Sequence, residues 1–171
     1  MNRAEEMKEF LQETKESLLK KRLVIIEDFC RKKGISKVEE IQAIVQGLLW
    51  NQREGCIVIS YLYSSVITGS HEFFIAIYSG APFVEEEPDG VYYSLNFCMQ
   101  EAEEDVWLMN RVLKEKFVRV LNSEKEIIRR WYILQVYGKL AVIFKLILKD
   151  IKEESGIDIY FGSYMGETEL I

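Results

Sequence analysis

The sequence predicts an α+β domain: two N-terminal helices, an antiparallel β-meander of about three strands, two long C-terminal helices and a short final strand. Three observations carry this expectation. Apolar residues recur every three or four positions at both ends of the chain. They alternate in the middle. Glycines or S-x-x-E spacings stand where one pattern gives way to the next. The chain has 171 residues, 49% of them hydrophobic and 29% charged, with two prolines and ten glycines. Residues 1–171 therefore read as one globular domain, with a core large enough to fold without disulfide or metal.

Residues 3–33 carry the first helical pattern. Met7, Phe10, Leu11, Thr14 and Leu18 share one side with Ile25 and Phe29, and from Leu19 a second stripe of Leu23, Ile26 and Cys30 widens it. Gly34 after "RKK" supplies the cationic last turn and left-handed glycine that end helices. Ser36 and Glu39 then have capping-box spacing. A second helix follows through "VEEIQAIVQGLLWNQ", with Val38, Ile41, Ile44 or Val45, and Leu48 inward and Gly55 as its stop.

The pattern changes at "CIVISYLYSSVIT", which alternates like a strand: Ile57, Ile59, Tyr61 and Tyr63 on one face, Val58, Ser60, Leu62 and Ser64 on the other. Thr68 to His71 reads as the first hairpin turn, "EFFIAIYS" as the second strand, "GAPFVEEEPDG" as a loop and "VYYSLN" as the third strand. Helical spacing returns over 99–121 through Met99, Ala102, Val106, Met109, Leu113, Phe117 and Val120. Ser123 and Glu126 make a second S-x-x-E box, opening a last helix that runs to about Glu154. It is apolar on nearly every side from Ile133 to Leu148, so it is expected at the centre of the domain, with Gly138 admitting a close neighbour. Gly156 ends it, and "IDIYF" is expected to rejoin the edge of the meander.

A net charge of −6 and a pI near 5.0 weigh against a phosphate-binding surface, so no nucleic acid is expected as partner. The N-terminal stretch is charged and amphipathic rather than a targeting segment. The most apolar window, "WYILQVYGKLAVIFKLIL", is interrupted by Lys139 and Lys145 and is shorter than the ~20 residues a bilayer span needs, so no membrane is expected either. Cys30, Cys56 and Cys98 are widely spaced in apolar contexts, without CxxC. They read as buried reduced thiols, which suit the cytoplasm.

Phosphate-binding glycine loops, nucleophile elbows and zinc-protease spacings are absent, so no cofactor and no metal are expected. The acidic run Glu85, Glu86, Glu87 and Asp89 lacks the calcium-loop pattern and reads as a solvated loop. Trp50, Trp107 and Trp131 read as core or interface anchors. The single histidine, His71, falls beside Ser70 and Glu72, but strand neighbours point to opposite faces, so this tripeptide supplies no catalytic cluster. His71 is expected in a surface turn, dispensable for folding. The hydroxyl-bearing strand is more unusual. Ser60, Tyr61 and Ser64, with His71 at its turn, are the candidate ligand-binding residues, since small polar groups beside tyrosines can hold a small polar ligand. No residue is singled out as catalytic.

Helices on one side of the sheet would leave an aromatic and β-branched face exposed or paired. The expected function is therefore a non-enzymatic cytoplasmic binding or adaptor protein, acting on a protein partner or by self-association through that face. The alternative is a small-ligand enzyme with a dispersed Ser/Tyr/carboxylate site near the first hairpin. In size, acidity and order of elements the chain resembles bacterial secretion chaperones, a resemblance of architecture and charge that no motif carries.

Overall fold

The structure, a computed structural model, describes residues 2–32, 35–51, 54–84 and 88–171. The expected end of the first helix at Gly34 and the acidic residues Glu85 to Glu87 lie outside them. The fold is α+β, with helices at both ends and a mixed sheet between.

The N-terminal pattern forms α1 (Arg3–Phe10) and α2 (Gln12–Lys32), parted at Leu11. Asn2 caps α1: its side chain accepts from the Glu5 amide at 3.0 Å and its own amide donates to the Glu5 carboxylate at 3.0 Å. The buried line along this pair runs Met7, Leu11, Lys15, Leu19, Arg22, Ile26 and Cys30, so two cations lie on it. Helix α3 (Ile35–Asn51) follows, and Ser36 falls inside it rather than at its cap.

Strand β1 (Cys56–Tyr61) ends earlier than its alternation suggests. Residues Tyr63–Thr68 form a short helix, α4, in place of the expected hairpin turn. Local capping decides this. Gly69, at φ 72°, closes the helix with its amide on the Ser65 carbonyl at 2.9 Å, while the Arg129 guanidinium donates to the Val66 carbonyl at 2.6 Å. A side chain at Gly69 would crowd that guanidinium, with a Cβ 3.2 Å from Nη2. His71, at φ 50°, makes a second left-handed step before β2 (Glu72–Tyr78). Strand β3 (Asp89–Ser94) pairs antiparallel with β2.

Helix α5 (Asn96–Lys116) buries Met99, Ala102, Val106, Met109 and Leu113 as expected, with Asp105 among them. It stops before Phe117, five residues short of the sequence expectation. The last helical stretch is α6 (Asn122–Lys139) and α7 (Ala141–Ser155), parted at Leu140. Its cap is not the Ser123–Glu126 pair. The cap lies two residues earlier, at Leu121, where the Glu124 carboxylate accepts from the Leu121 amide at 2.7 Å. The residues 122–155 are long and apolar enough to cross a membrane, but 56% of their apolar 18-residue window is buried inside the fold. Helix α6 touches α1, α2, α4, α5 and α7, the central position its all-round apolarity implies. Gly138 has open space around it, so it admits no close neighbour.

Strand β4 (Asp158–Ser163) joins the meander beside β1, parallel to it, with Val58 opposite Tyr160. A further strand, β5 (Thr168–Leu170), pairs antiparallel with β4, giving the order β3-β2-β1-β4-β5. The helices cover one face only. Ile57, Ile59, Phe73, Ile75, Ile77, Ile159 and Phe161 point into the core they form. The other face carries a smaller cluster of Cys56, Val58, Phe74, Ala76 and Tyr78, to which no helix contributes a residue among those described.

Candidate functional site

The two left-handed residues before β2 turn His71 inward, and the surface-turn expectation is overturned. Its side chain is 2% exposed. Nδ1 lies 2.7 Å from the Tyr137 hydroxyl, itself fully buried, and Nε2 lies 3.3 Å from Oε1 of Glu103. Glu103 is held in turn by Arg129, with Nε to Oε2 at 2.8 Å and Nη2 to Oε1 at 2.5 Å. The chain of bonds joins the α4–β2 junction to α5 and α6. Burial pushes the Glu103 carboxyl up, but hydrogen bonds from His71 and Arg129 and the charge of Arg129 outweigh it, so its pKa lies below the ordinary carboxylate value. Burial, reinforced by the Glu103 charge, holds the Tyr137 hydroxyl protonated well above the ordinary tyrosine range. With the imidazole and the phenol both closed to solvent, the cluster fastens three elements and presents no imidazole to a ligand.

The other three sequence-selected residues do not gather around it. Tyr61 comes nearest: its ring faces the helices and packs on Tyr137, Phe73 and Phe161, with centroids 5.6, 6.4 and 6.1 Å away. Ser60, its strand neighbour, is buried on the opposite face of the sheet. Ser64 is exposed on α4, where its carbonyl accepts from the Thr68 hydroxyl at 3.0 Å. Tyr61 also lines a polar cleft of about 490 Å³ with Ser163, Glu167, Thr168 and Glu169, at the shared carboxyl end of the parallel pair β1 and β4. Among the described residues, no three His, Cys, Asp or Glu side chains are grouped to hold a metal ion.

A second buried polar centre lies between α2, α5 and α6. Arg22 binds Asp105 through two hydrogen bonds, Tyr132 donates to Asp105 Oδ2 at 2.7 Å, and Glu101 meets the outer nitrogen of Arg22. The sequence holds a signal for it. Arg22 falls at helical spacing between Leu19 and Ile26, and Asp105 between Ala102 and Met109, so each charge stands on an inward stripe and needs a partner. Glu103, Arg129 and Tyr137 carry no comparable signal, because His71 finds them only through the turn geometry.

The helix-free face of the sheet ends in aromatic side chains. Phe74 lies tilted beside Tyr92 at 4.7 Å and meets Tyr164 at 6.0 Å, and Phe83 bridges Tyr78 at 5.7 Å and Tyr164 at 5.9 Å. Gly90 lets the Phe74 ring lie flat across the strand: a Cβ there would stand 2.6 Å from the ring. Tyr92 is 61% exposed and Val91 41%, both on β3, which among the described residues pairs with β2 alone. Two of the tryptophans are not core anchors. Trp50 is 83% exposed and Trp107 59%, while Trp131 is partly buried under the Lys15 ammonium. Comparison of the chain with protein-family models, curated proteins and solved structures found no match.

Proposed function

We propose that this chain is a non-enzymatic cytoplasmic binding protein of adaptor type, which docks a protein through the helix-free face of its sheet. The observation that carries the reading is the continuous Tyr92–Phe74–Tyr164–Phe83 cluster beside the edge strand β3. An edge strand offers main-chain donors and acceptors to a further strand, and exposed aromatics supply apolar area at low entropic cost. A second copy is the favoured occupant, because antiparallel pairing of β3 with itself about a two-fold axis uses the same patch twice. The compartment is inferred from Cys30, Cys56 and Cys98, all buried.

Light scattering on the purified chain tests this. A dimer at micromolar concentration, lost in Tyr92→Asp with an unchanged thermal midpoint, supports the reading. A monomer whose β3 amides exchange at unprotected rates refutes self-association.

A second reading rests on the cleft over Tyr61, whose ring touches the tyrosine that holds His71. There the hydroxyls of Tyr61, Ser163 and Thr168 and the carboxylates of Glu167 and Glu169 would serve a small polar substrate. Chemical-shift changes confined to those residues on addition of small polyols or amines would favour it over docking.

A further inference from the structure

A groove of about 590 Å³ runs between α2 and α7. Leu148 and Ile159, each 1% exposed, and Ile171 form its floor, and Val142 and Leu146 its α7 wall. Val142 is 63% exposed, and Val24, on the α2 face that carries Glu27 and Arg31, is 55% exposed. The rim is cationic. Arg31, Lys145, Lys149 and Lys152 stand around it against Glu27 and Glu153, on a chain whose net charge is −6. Three of those cations are engaged: Arg31 with Glu27 at 2.8 Å, Lys149 with Glu153 at 3.7 Å and Lys152 with the main-chain oxygen of Ile171. Among the described residues Lys145 makes no hydrogen bond or ion pair.

The shape selects the occupant. The volume falls within the range of about 300–1,000 Å³ typical of small-molecule sites, which are apolar with a few placed polar groups. A docked amphipathic helix would need anchors at i, i+3, i+4 and i+7. The apolar wall on α7 extends only from Val142 to Leu148, about 9 Å of helix rise. One free ammonium beside a short apolar trough matches one negative head group on one hydrocarbon chain.

We propose that this groove binds a free medium-chain carboxylate, with the acyl chain over Leu146, Leu148 and Ile159 and the carboxylate on Lys145. The site is separate from the sheet face proposed for docking, and its readout is independent of oligomeric state.

Calorimetric titration with dodecanoate, dodecyltrimethylammonium and dodecanol, below their aggregation concentrations, tests it. Dodecanoate should bind about tenfold more tightly than the cationic or the neutral chain. Lys145→Glu, at an exposed position, should cancel that preference. Val142→Asp should weaken all three by placing a carboxylate in the apolar wall. Equal affinity for the three chains overturns the proposal, as does a Lys145→Glu protein that still prefers dodecanoate. So does association with phosphatidylglycerol vesicles without binding of free dodecanoate.

Discussion

The Arg22 guanidinium meets the Asp105 carboxylate through two hydrogen bonds of 2.8 Å, Nε to Oδ2 and Nη2 to Oδ1, with both side chains beneath the surface. A forked pair of this kind fixes the rotation of α2 against α5, because only one alignment satisfies both bonds. Burial pushes the Arg22 pKa down, but the hydrogen bond and charge of Asp105, with the charge of Glu101, outweigh it and raise the value overall.

Removing one partner should therefore be costly. Asp105→Ala leaves the buried guanidinium with the exposed Glu101 alone and frees the Tyr132 hydroxyl, for a loss of about 3–5 kcal/mol in denaturant unfolding. Replacing Arg22, Asp105 and Tyr132 together by Met, Leu and Phe should recover most of it. A loss below about 1 kcal/mol in the single variant would show that water reaches Arg22.

His71→Ala should destabilise the fold by about 1–3 kcal/mol, because it leaves the buried Tyr137 hydroxyl without its partner. Tyr137→Phe removes the same bond from the other end, so the double variant should cost less than the sum of the two. Additive losses in that cycle would mean the 2.7 Å contact contributes nothing.

The lowered pKa of Glu103 sets a pH dependence. Its folded value lies below the ordinary 4.5, so the unfolded chain takes up the proton first as acid is added. The stabilisation is present above about pH 4.5 and is lost as pH falls through the folded-state value. Unfolding free energies measured from roughly pH 5 to pH 3 should therefore fall less steeply in Glu103→Gln than in the parent. Parallel curves would remove Glu103 from the acid transition.

Leu140 and Phe144, 1% and 2% exposed, sit where α6 passes into α7, and Phe144 packs on Phe161 at 5.4 Å. Either residue changed to Ala should cost about 2–5 kcal/mol. A loss under about 1 kcal/mol would place that junction outside the cooperative core.

Where a residue's environment follows from spacing along its own helix, the sequence is a good guide. Met99, Ala102, Val106, Met109 and Leu113 face inward as their period requires, and α6 and α7 are central as their apolarity requires. Reading fails where a local bond competes with a weak pattern. Tyr63 to Thr68 alternate like a strand, yet the Gly69 cap and the Arg129 guanidinium draw them into a helix, and the second of these depends on chain far away. His71 goes inward for the same reason: one left-handed residue on either side of Ser70 reverses the direction that a simple hairpin would give it. The three residues of β5 are too few to show a period, and only pairing with β4 makes them a strand.

The parallel pairing of β1 with β4 also governs the order of events during synthesis. Roughly a hundred residues separate Cys56 from its neighbour Asp158 across the sheet, with α5, α6 and α7 between. At about 5–20 residues per second, β1 waits on the order of 5–20 s after leaving the ribosome before its last neighbour exists. During that time Ile57, Val58 and Ile59 form a bare edge in a nascent chain, open to pairing with another copy on the same message. The hairpin partner β2 arrives early and covers one side. A holdase that masks the other side until residue 158 emerges would raise the yield of native protein, and slowing translation before that point would lower it.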